Sequence, residues 1–158
     1  AGGAGARGTD AIYGGHSVVG TMFYYGDNWP EEFRGQLFTH NLGGHQINRE
    51  INQPLGSGYK TVHAENDILF CTDPTYVAVA MKYGPDGAVY LAALRGQSVW
   101  RVPVNADGTA GRPARYLQSK YGRIRDIRFV GDRVWITTSN QDRRDRLISL
   151  PLAAVGAG

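Results

Sequence analysis

Short apolar runs separated by glycine-containing turns are the feature that most constrains how this chain can fold. Residues 76–81 alternate so that Val77, Val79 and Met81 share one face of an extended strand. The turn signal Pro85-Asp86-Gly87 follows, and residues 88–94 form the next run. Runs of this length between turn residues are typical of β-strands, and helical periodicity is almost absent. The sequence therefore predicts an all-β fold of antiparallel strands.

The strand pattern restarts twice along the chain. Val89-Tyr90-Leu91 matches Val134-Trp135-Ile136 at an offset of 45 residues, and Arg34-Gly35-Gln36 matches Arg95-Gly96-Gln97 at an offset of 61. Repeats of this length with about four short strands each are typical of β-propeller blades. The alternative is an ordinary antiparallel β-sandwich in which these segments match by chance. We predict about three four-stranded blades, over residues 13–70, 74–118 and 122–150.

The number of blades has a consequence for assembly. Closed propellers usually have at least about four blades, so three would leave an open arc with exposed sheet faces. We therefore predict a homodimer that completes one six-bladed ring. The third predicted blade lacks one strand, and Ala11-Ile12-Tyr13 of the same or a neighbouring chain could supply it. Residues 1–10, rich in Gly and Ala, are predicted to form a flexible lead, and residues 11–158 the partial propeller.

Charge is unevenly distributed between the two halves of the chain. Residues 1–90 carry five Lys+Arg and nine Asp+Glu, whereas residues 91–158 carry twelve and five. This asymmetry fits a polyanion-binding face, or docking of one chain's acidic half on another's basic half. Nucleic acid is not expected as a partner, because the arginines are not interleaved with exposed aromatic side chains. A membrane is not expected either, because no apolar run approaches the roughly 18 residues of a membrane helix.

Two arginines lie close together at the start of the third predicted blade. In an extended strand, Arg123 and Arg125 would point to the same face and place their guanidiniums side by side. Two neighbouring planar guanidinium groups, each able to bind a carboxylate through two hydrogen bonds, suit a ligand that carries several carboxylates. The alternative is a pair of surface or channel-lining charges bridged to Asp126 and its neighbours.

Other polar groups give no firm site. The histidines His16, His40, His45 and His63 fit no metal-ligand spacing, so we predict no metal site from them, although His16 and His40 could face a central channel. The sequence leaves the catalytic residues unknown.

The second half of the chain resembles a known family. The stretches Leu94-Arg95-Gly96-Gln97-Ser98-Val99-Trp100-Arg101, Gly122-Arg123-Ile124-Arg125-Asp126 and Thr138-Ser139-Asn140 resemble the closing blades of soluble quinoprotein glucose dehydrogenases and their sorbosone-dehydrogenase-like relatives. Residues 13–90 are similar to large planctomycete-type membrane-bound dehydrogenase propellers, in stretches such as Asn28-Trp29-Pro30-Glu31-Glu32-Phe33-Arg34-Gly35. The change near Leu91 suggests a recombined or engineered chain.

The resemblance carries expectations about activity. It implies a six-bladed propeller, periplasmic or secreted, that oxidises sugars with pyrroloquinoline quinone (PQQ) and calcium. It implies that Arg123 and Arg125 face the quinone carboxylates, and that Arg95 stands where the glucose enzymes place a cofactor-contacting lysine. The chain contains no adjacent Asp-His pair of the kind the family uses for catalysis, and no recognisable calcium loop.

Two functions follow from these observations. The first is a self-associating half-propeller scaffold without chemistry of its own, which the missing Asp-His pair favours. The alternative is a PQQ-dependent glucose or sorbosone dehydrogenase-like oxidoreductase, or a remnant that still binds the cofactor. The paired arginines and the resemblance favour the alternative. A small anionic ligand or a sugar is the expected ligand class.

Overall fold

The computed structural model describes residues 18–42, 44–139 and 144–158. Its first sheet, sheet 1, is an antiparallel meander in the order β1-β2-β3-β4, with the short strand β5 paired to β3. The strands of sheet 1 are β1 (Val18–Phe23), β2 (Leu37–Asn41), β3 (Gln46–Leu55), β4 (Gly58–His63) and β5 (Leu69–Phe70). A short 3-10 helix, Glu31–Phe33, lies between β1 and β2.

Two further meanders follow in chain order. Sheet 2 has the order β6-β7-β8-β9 and sheet 3 the order β10-β11-β12. Their strands are β6 (Ala78–Tyr83), β7 (Val89–Ala93), β8 (Ser98–Val102), β9 (Ala114–Tyr116), β10 (Ile124–Val130), β11 (Arg133–Thr138) and β12 (Leu147–Pro151). A second 3-10 helix, Leu152–Val155, follows β12. No helix of the described residues is long and apolar enough to cross a membrane.

Sheet 2 is buried on both faces. Because side chains alternate along a strand, Val89, Leu91 and Ala93 of β7 join the core shared with sheet 1. Tyr90 and Ala92 join the core shared with sheet 3. All five residues of β7 are fully buried. This two-sided burial explains why β7 is uniformly apolar rather than alternating between apolar and polar residues.

The first strands of the three sheets lie beside one another and share one irregularity. β6 contacts β1 on one side and β10 on the other. Each of these strands has a register shift near its start, between Val19 and Met22, between Ala78 and Ala80, and between Ile124 and Asp126. A β-bulge at the same place in each sheet indicates that the sheets are structural repeats.

An aromatic cluster joins sheet 1 to sheet 2. Trp29 stacks on Tyr24 with ring centroids 4.2 Å apart, and its indole Nε1 donates to the Gly87 carbonyl at 2.7 Å. The Tyr83 hydroxyl donates to Asn28 Oδ1 from the other sheet. Because the indole hydrogen bond is buried, it helps to fix how the two sheets sit against each other.

The prediction of an all-β fold of antiparallel sheets is confirmed. Sheet 3 has three strands among the described residues, and the segments 1–10, Ala11-Ile12-Tyr13 and His16 lie outside them. The number of blades and the homodimeric ring stay predictions.

Two features of the sequence are misleading about the structure. Strand β3 continues through Pro54 to Leu55, although residues such as Asn52-Gln53-Pro54 are typical of a strand end. Beyond Glu50, β3 pairs only with β4, and proline is tolerated where a strand has one partner. The 61-residue match is also not a structural repeat, because Arg34-Gly35-Gln36 precedes the second strand of its sheet and Arg95-Gly96-Gln97 follows it.

His40 is buried in the core rather than facing a channel. Its side chain in β2 is fully buried and lies 5.1 Å from the Tyr76 ring. Burial, and to a lesser extent the charge of His45, lowers the pKa of His40 to about 4, while the Ala78 backbone acts in the opposite direction.

The two-sided burial of sheet 2 gives a first prediction. Leu91→Ala removes a fully buried side chain from the core shared with sheet 1. We expect a loss of about 2–5 kcal/mol in the free energy of unfolding, measured by urea denaturation. The matched control Leu55→Ala, at a hairpin tip where the side chain is 66% exposed, should change it by no more than about 0.5 kcal/mol. Equal losses in both variants would contradict the two-core arrangement.

The buried imidazole gives a second prediction, about pH. The pKa of His40 is lowered on folding, so between about pH 6.5 and 4 the unfolded chain binds a proton that the folded chain does not. The free energy of unfolding should therefore fall as the pH falls through this window, by on the order of 3 kcal/mol in total. His40→Gln and His40→Phe should each flatten this dependence in urea titrations at several pH values. An unchanged slope in both variants would rule out His40 as its source.

Candidate functional site

Arg95 lies in the tight connection between β7 and β8. The Leu94 amide donates to the Val77 carbonyl at 3.0 Å, and the Gln97 amide to the Leu94 carbonyl at 3.4 Å. A Cβ on Gly96 would lie 2.8 Å from the Thr75 carbonyl oxygen, so the backbone can approach this closely only with glycine there. The connection therefore packs closely against the segment that precedes β6.

Arg115 of β9 stabilises the same connection through hydrogen bonds. Its Nη2 donates to the Gly96 carbonyl at 3.0 Å and its Nε to Ser98 Oγ at 3.2 Å. Asp73 lies 3.8 Å from the Arg115 guanidinium. Hydrogen bonds from Thr75, and to a lesser extent the charge of Arg115, lower the pKa of Asp73. Asp73 is thus held as a carboxylate that helps to orient Arg115.

Backbone hydrogen bonds bring Arg123 to the same place. The Ser119 amide donates to the Gln97 carbonyl at 2.9 Å, which ties the segment before β10 to the connection between β7 and β8. The Ser139 amide, at the end of β11, donates to the Arg123 carbonyl at 3.0 Å. Arg123 therefore lies where sheets 2 and 3 meet, just before the first strand of sheet 3.

Arg95 and Arg123 line one open depression. Its volume is about 360 Å³, and the lining residues are Val77, Leu94, Arg95, Gln97 and Arg123. Val77 and Leu94 supply apolar wall, and Gln97 supplies an amide. Within the described ranges, neither Arg95 nor Arg123 forms an ion pair with a carboxylate. The nearby Asp126 is instead 3.6 Å from Arg128.

Arg125 is positioned differently from the sequence expectation. Strand β10 begins at Ile124, and the register shift between Ile124 and Asp126 places Arg125 at the bulge. A regular strand through both arginines is therefore not observed. The Nε and Nη2 of Arg125 donate to Ser139 Oγ at 3.3 and 3.2 Å, and Arg125 is not among the residues that line the depression.

Comparison of the three first strands shows what is special about the third. Counted from the bulge, Val77 of sheet 2 occupies the position that Arg123 occupies in sheet 3. Val79 corresponds in the same way to Arg125. The apolar residues of one repeat are thus replaced by arginines in the next, which gives this end of the molecule its positive charge.

Gln97 is a site residue that the sequence interpretation missed. Its φ of 47° lies in the left-handed region, which is unfavourable for a residue with a side chain. Strained backbone of this kind is often found at binding sites. The signal in the sequence was the neighbouring Gly96, which marked a turn but not which residue would adopt the strained conformation.

The lining fits binding better than proton transfer. Two guanidiniums and an amide can donate hydrogen bonds to a ligand, and no imidazole or carboxylate is among the described lining residues. The described part of the chain contains no group of three or more His, Cys, Asp or Glu side chains that could hold a metal ion. The arrangement can bind an anion, and a general base would have to come from elsewhere.

The fold is shared with solved structures of dehydrogenases. The structure described as the PQQ-bound form of aldose sugar dehydrogenase from Streptomyces coelicolor matches 92% of this chain and 48% of its own, with a TM-score of 0.57 and 21% identity. A putative oxidoreductase (glucose dehydrogenase) from Thermus thermophilus matches 83% of this chain and 43% of its own, with a TM-score of 0.55 and 21% identity.

At this level of identity the matches show the fold, which is all-β and like that of these propeller-like dehydrogenases. The chain spans about half the length of the solved structures it matches.

Sequence comparison gives the family. No curated protein matches the chain. The family model described as Domain of unknown function (DUF7133) matches residues 6–125, and it continues across Leu91 without a break, so the match gives no support for a junction there. Because the match covers most of the sequence, this chain belongs to the DUF7133 domain family.

Proposed function

We propose that the depression lined by Arg95 and Arg123 binds a small polycarboxylate, and that this ligand belongs to the PQQ class. The observation that carries the proposal is the convergence of two guanidiniums, from different sheets, on one depression without a carboxylate partner among the described residues. The free-energy cost of binding an anion to such unpaired cations is small, because no existing ion pair has to be broken.

The lining residues fit the shape and charge of this ligand class. A volume of about 360 Å³ is within the range of small-molecule sites, about 300–1,000 Å³. The guanidiniums of Arg95 and Arg123 would bind carboxylates, and the Gln97 amide would donate to a carboxylate or quinone oxygen. Val77 and Leu94 would contact the flat face of the ring system. When bound, a quinone of this class accepts two electrons from an alcohol carbon.

This function corresponds to the dehydrogenase alternative of the sequence analysis, as a cofactor-binding part of a sugar oxidoreductase-like propeller. Arg125 as a further cofactor contact, calcium as a second cofactor and a periplasmic or secreted location remain predictions of the resemblance. A self-associating scaffold is the second candidate function, favoured by the large apolar side chains that are exposed on sheets 1 and 3, such as Phe23 and Trp135.

PQQ titration with arginine variants tests the proposal. Each of Arg95→Gln and Arg123→Gln should weaken PQQ binding at least about tenfold, because a hydrogen bond to a charged group is worth about 1.5–3 kcal/mol. Arg112→Gln, which removes an exposed arginine outside the depression, should change affinity less than about twofold. Binding is measured by calorimetry with and without Ca²⁺.

The outcomes separate the two candidate functions. No binding of PQQ by the wild-type chain at high micromolar concentration would remove the proposal and leave the scaffold. An equal loss in all three variants would show non-specific attraction to positive charge instead of a site. Dye reduction with glucose is assayed separately, because binding without turnover indicates a cofactor-binding chain that lacks the general base.

Gln97 gives a prediction with two readouts of opposite sign. Gln97→Gly relieves the left-handed backbone strain, whereas Gln97→Ala retains it. We expect the Gly variant to be more stable than the Ala variant by about 1 kcal/mol in urea unfolding. Both variants lose the side-chain amide, so both should bind PQQ more weakly than the wild type. Equal stability of the two variants would contradict backbone strain at Gln97. Unchanged affinity for PQQ would show that the Gln97 amide does not contact the ligand.

A further inference from the structure

The backbone beside the depression has an unfavourable conformation at several positions. Among the described residues, Gln97, Leu117 and Ser119 have φ angles of 47°, 58° and 57°, in the left-handed region. The Ser119 amide donates to the Gln97 carbonyl at 2.9 Å, so the two strained segments lie against each other. Such conformations persist only where the surrounding contacts hold them in place. The side chains that provide those contacts therefore influence the geometry of the depression.

Arg115 provides one of these contacts, at the peptide group between Gly96 and Gln97. Its Nη2 donates to the Gly96 carbonyl at 3.0 Å, and Gly96 is buried. The orientation of this peptide group is linked to the φ angle of Gln97, because φ is the rotation about the bond from the Gln97 nitrogen to its Cα. A buried carbonyl that turned away would lose its hydrogen bond at a cost in free energy. Arg115 thus helps to hold Gln97 in its left-handed conformation.

The Arg115 guanidinium is itself fixed by its neighbours. Its Nε donates to Ser98 Oγ at 3.2 Å, and its carbon Cζ lies 5.1 Å from the centre of the Trp100 ring. Asp73 is 3.8 Å from Nη1, and one oxygen of Asp73 accepts hydrogen bonds from the Thr75 amide and hydroxyl, each at 2.7 Å. Contacts with β8 and with the segment before β6 therefore orient the guanidinium toward the connection between β7 and β8.

Arg115 is placed to act on a ligand only through this connection. It is not among the residues that line the depression, and its side chain is 21% exposed. The connection carries two of the lining residues, Arg95 and Gln97. Arg123 is held separately, because its carbonyl accepts a hydrogen bond from the Ser139 amide at the end of β11. A change at Arg115 should therefore affect one side of the depression more than the other.

We propose that Arg115 is a positioning residue for the anion site. By holding the Gly96 carbonyl, it keeps Arg95 and Gln97 in the arrangement that binds a polycarboxylate. This inference rests on the proposed function, since it concerns the same depression. Preorganisation of this kind raises affinity, because the connection does not have to be ordered when the ligand binds. Loss of Arg115 should lower the affinity without removing any group that contacts the ligand.

Arg133 offers a matched control. Its Nε donates to Ser149 Oγ at 2.6 Å and its Nη2 to the Ser149 carbonyl at 3.1 Å, so it bonds a serine hydroxyl and a backbone carbonyl as Arg115 does. It lies at the start of β11 and does not line the depression. Arg115→Met and Arg133→Met therefore remove the same kinds of hydrogen bond, and only the first should affect binding. Urea denaturation checks that both variants are folded.

Equilibrium dialysis with PQQ on single and double variants tests the proposal. Arg115→Met should weaken binding about fivefold, Arg115→Lys, which keeps one donor group, should weaken it less, and Arg133→Met should change it less than about twofold. In the Arg123→Gln background, the loss caused by Arg115→Met should again be about fivefold, because Arg123 is held separately. In the Arg95→Gln background it should fall to about twofold or less, because the cation that Arg115 positions is absent.

Hydrogen exchange in the absence of ligand gives a second readout. The amides of Gln97 and Ser119 should exchange faster in Arg115→Met than in the wild-type chain or in Arg133→Met, because the connection opens more readily. Unchanged exchange at both amides would show that Arg115 does not hold the connection, and would overturn the proposal.

The binding results separate this proposal from the proposed function. PQQ binding by the wild-type chain with unchanged affinity in Arg115→Met would overturn the positioning role alone. Equal losses from Arg115→Met in all three backgrounds would show a general structural effect, and would also overturn it. No binding of PQQ by the wild-type chain would remove the proposed function, and with it the role of Arg115 in binding, whatever the exchange rates show.

Discussion

The burial of sheet 2 on both faces is the constraint on which the rest of this structure depends. Strand β7 sends alternate side chains into two separate cores, so sheets 1 and 3 can each cover one face of the same sheet. This arrangement determines the direction in which the sheets stack, with sheet 1 against one face of sheet 2 and sheet 3 against the other. The candidate depression, at the junction of sheets 2 and 3, is a consequence of that order.

The candidate site depends on the repeat and on one departure from it. Every first strand has a bulge near its start. Two residues before the bulged position stands Val77 in sheet 2 and Arg123 in sheet 3. The depression therefore arises from a shared backbone plan, and its charge arises from a substitution in the third repeat. Arg95 joins it because the connection between β7 and β8 is held by Arg115 and by the close approach of Gly96 to Thr75.

The candidate site lies where sheets 2 and 3 meet, so neither sheet alone supplies both of its guanidiniums. Among the described residues, no imidazole or carboxylate lines the depression, and proton abstraction needs a base within reach. Catalysis on a ligand bound there would therefore need a group from outside this described lining.

The sequence by itself determined the all-β class, the positions of most strands and the 45-residue repeat, because strand alternation and turn residues act locally. It also identified Arg123 and Arg125 as an unusual pair of cations, and the family resemblance added Arg95. Only the tertiary structure decided that Arg95 and Arg123 share one depression while Arg125 donates to Ser139. A bulge shifts every following side chain by one position, and it depends on pairing with a distant strand. The strained Gln97, the burial of His40 and the exposure of Trp135 likewise depend on which sheet covers which face, and a single sequence does not contain that information.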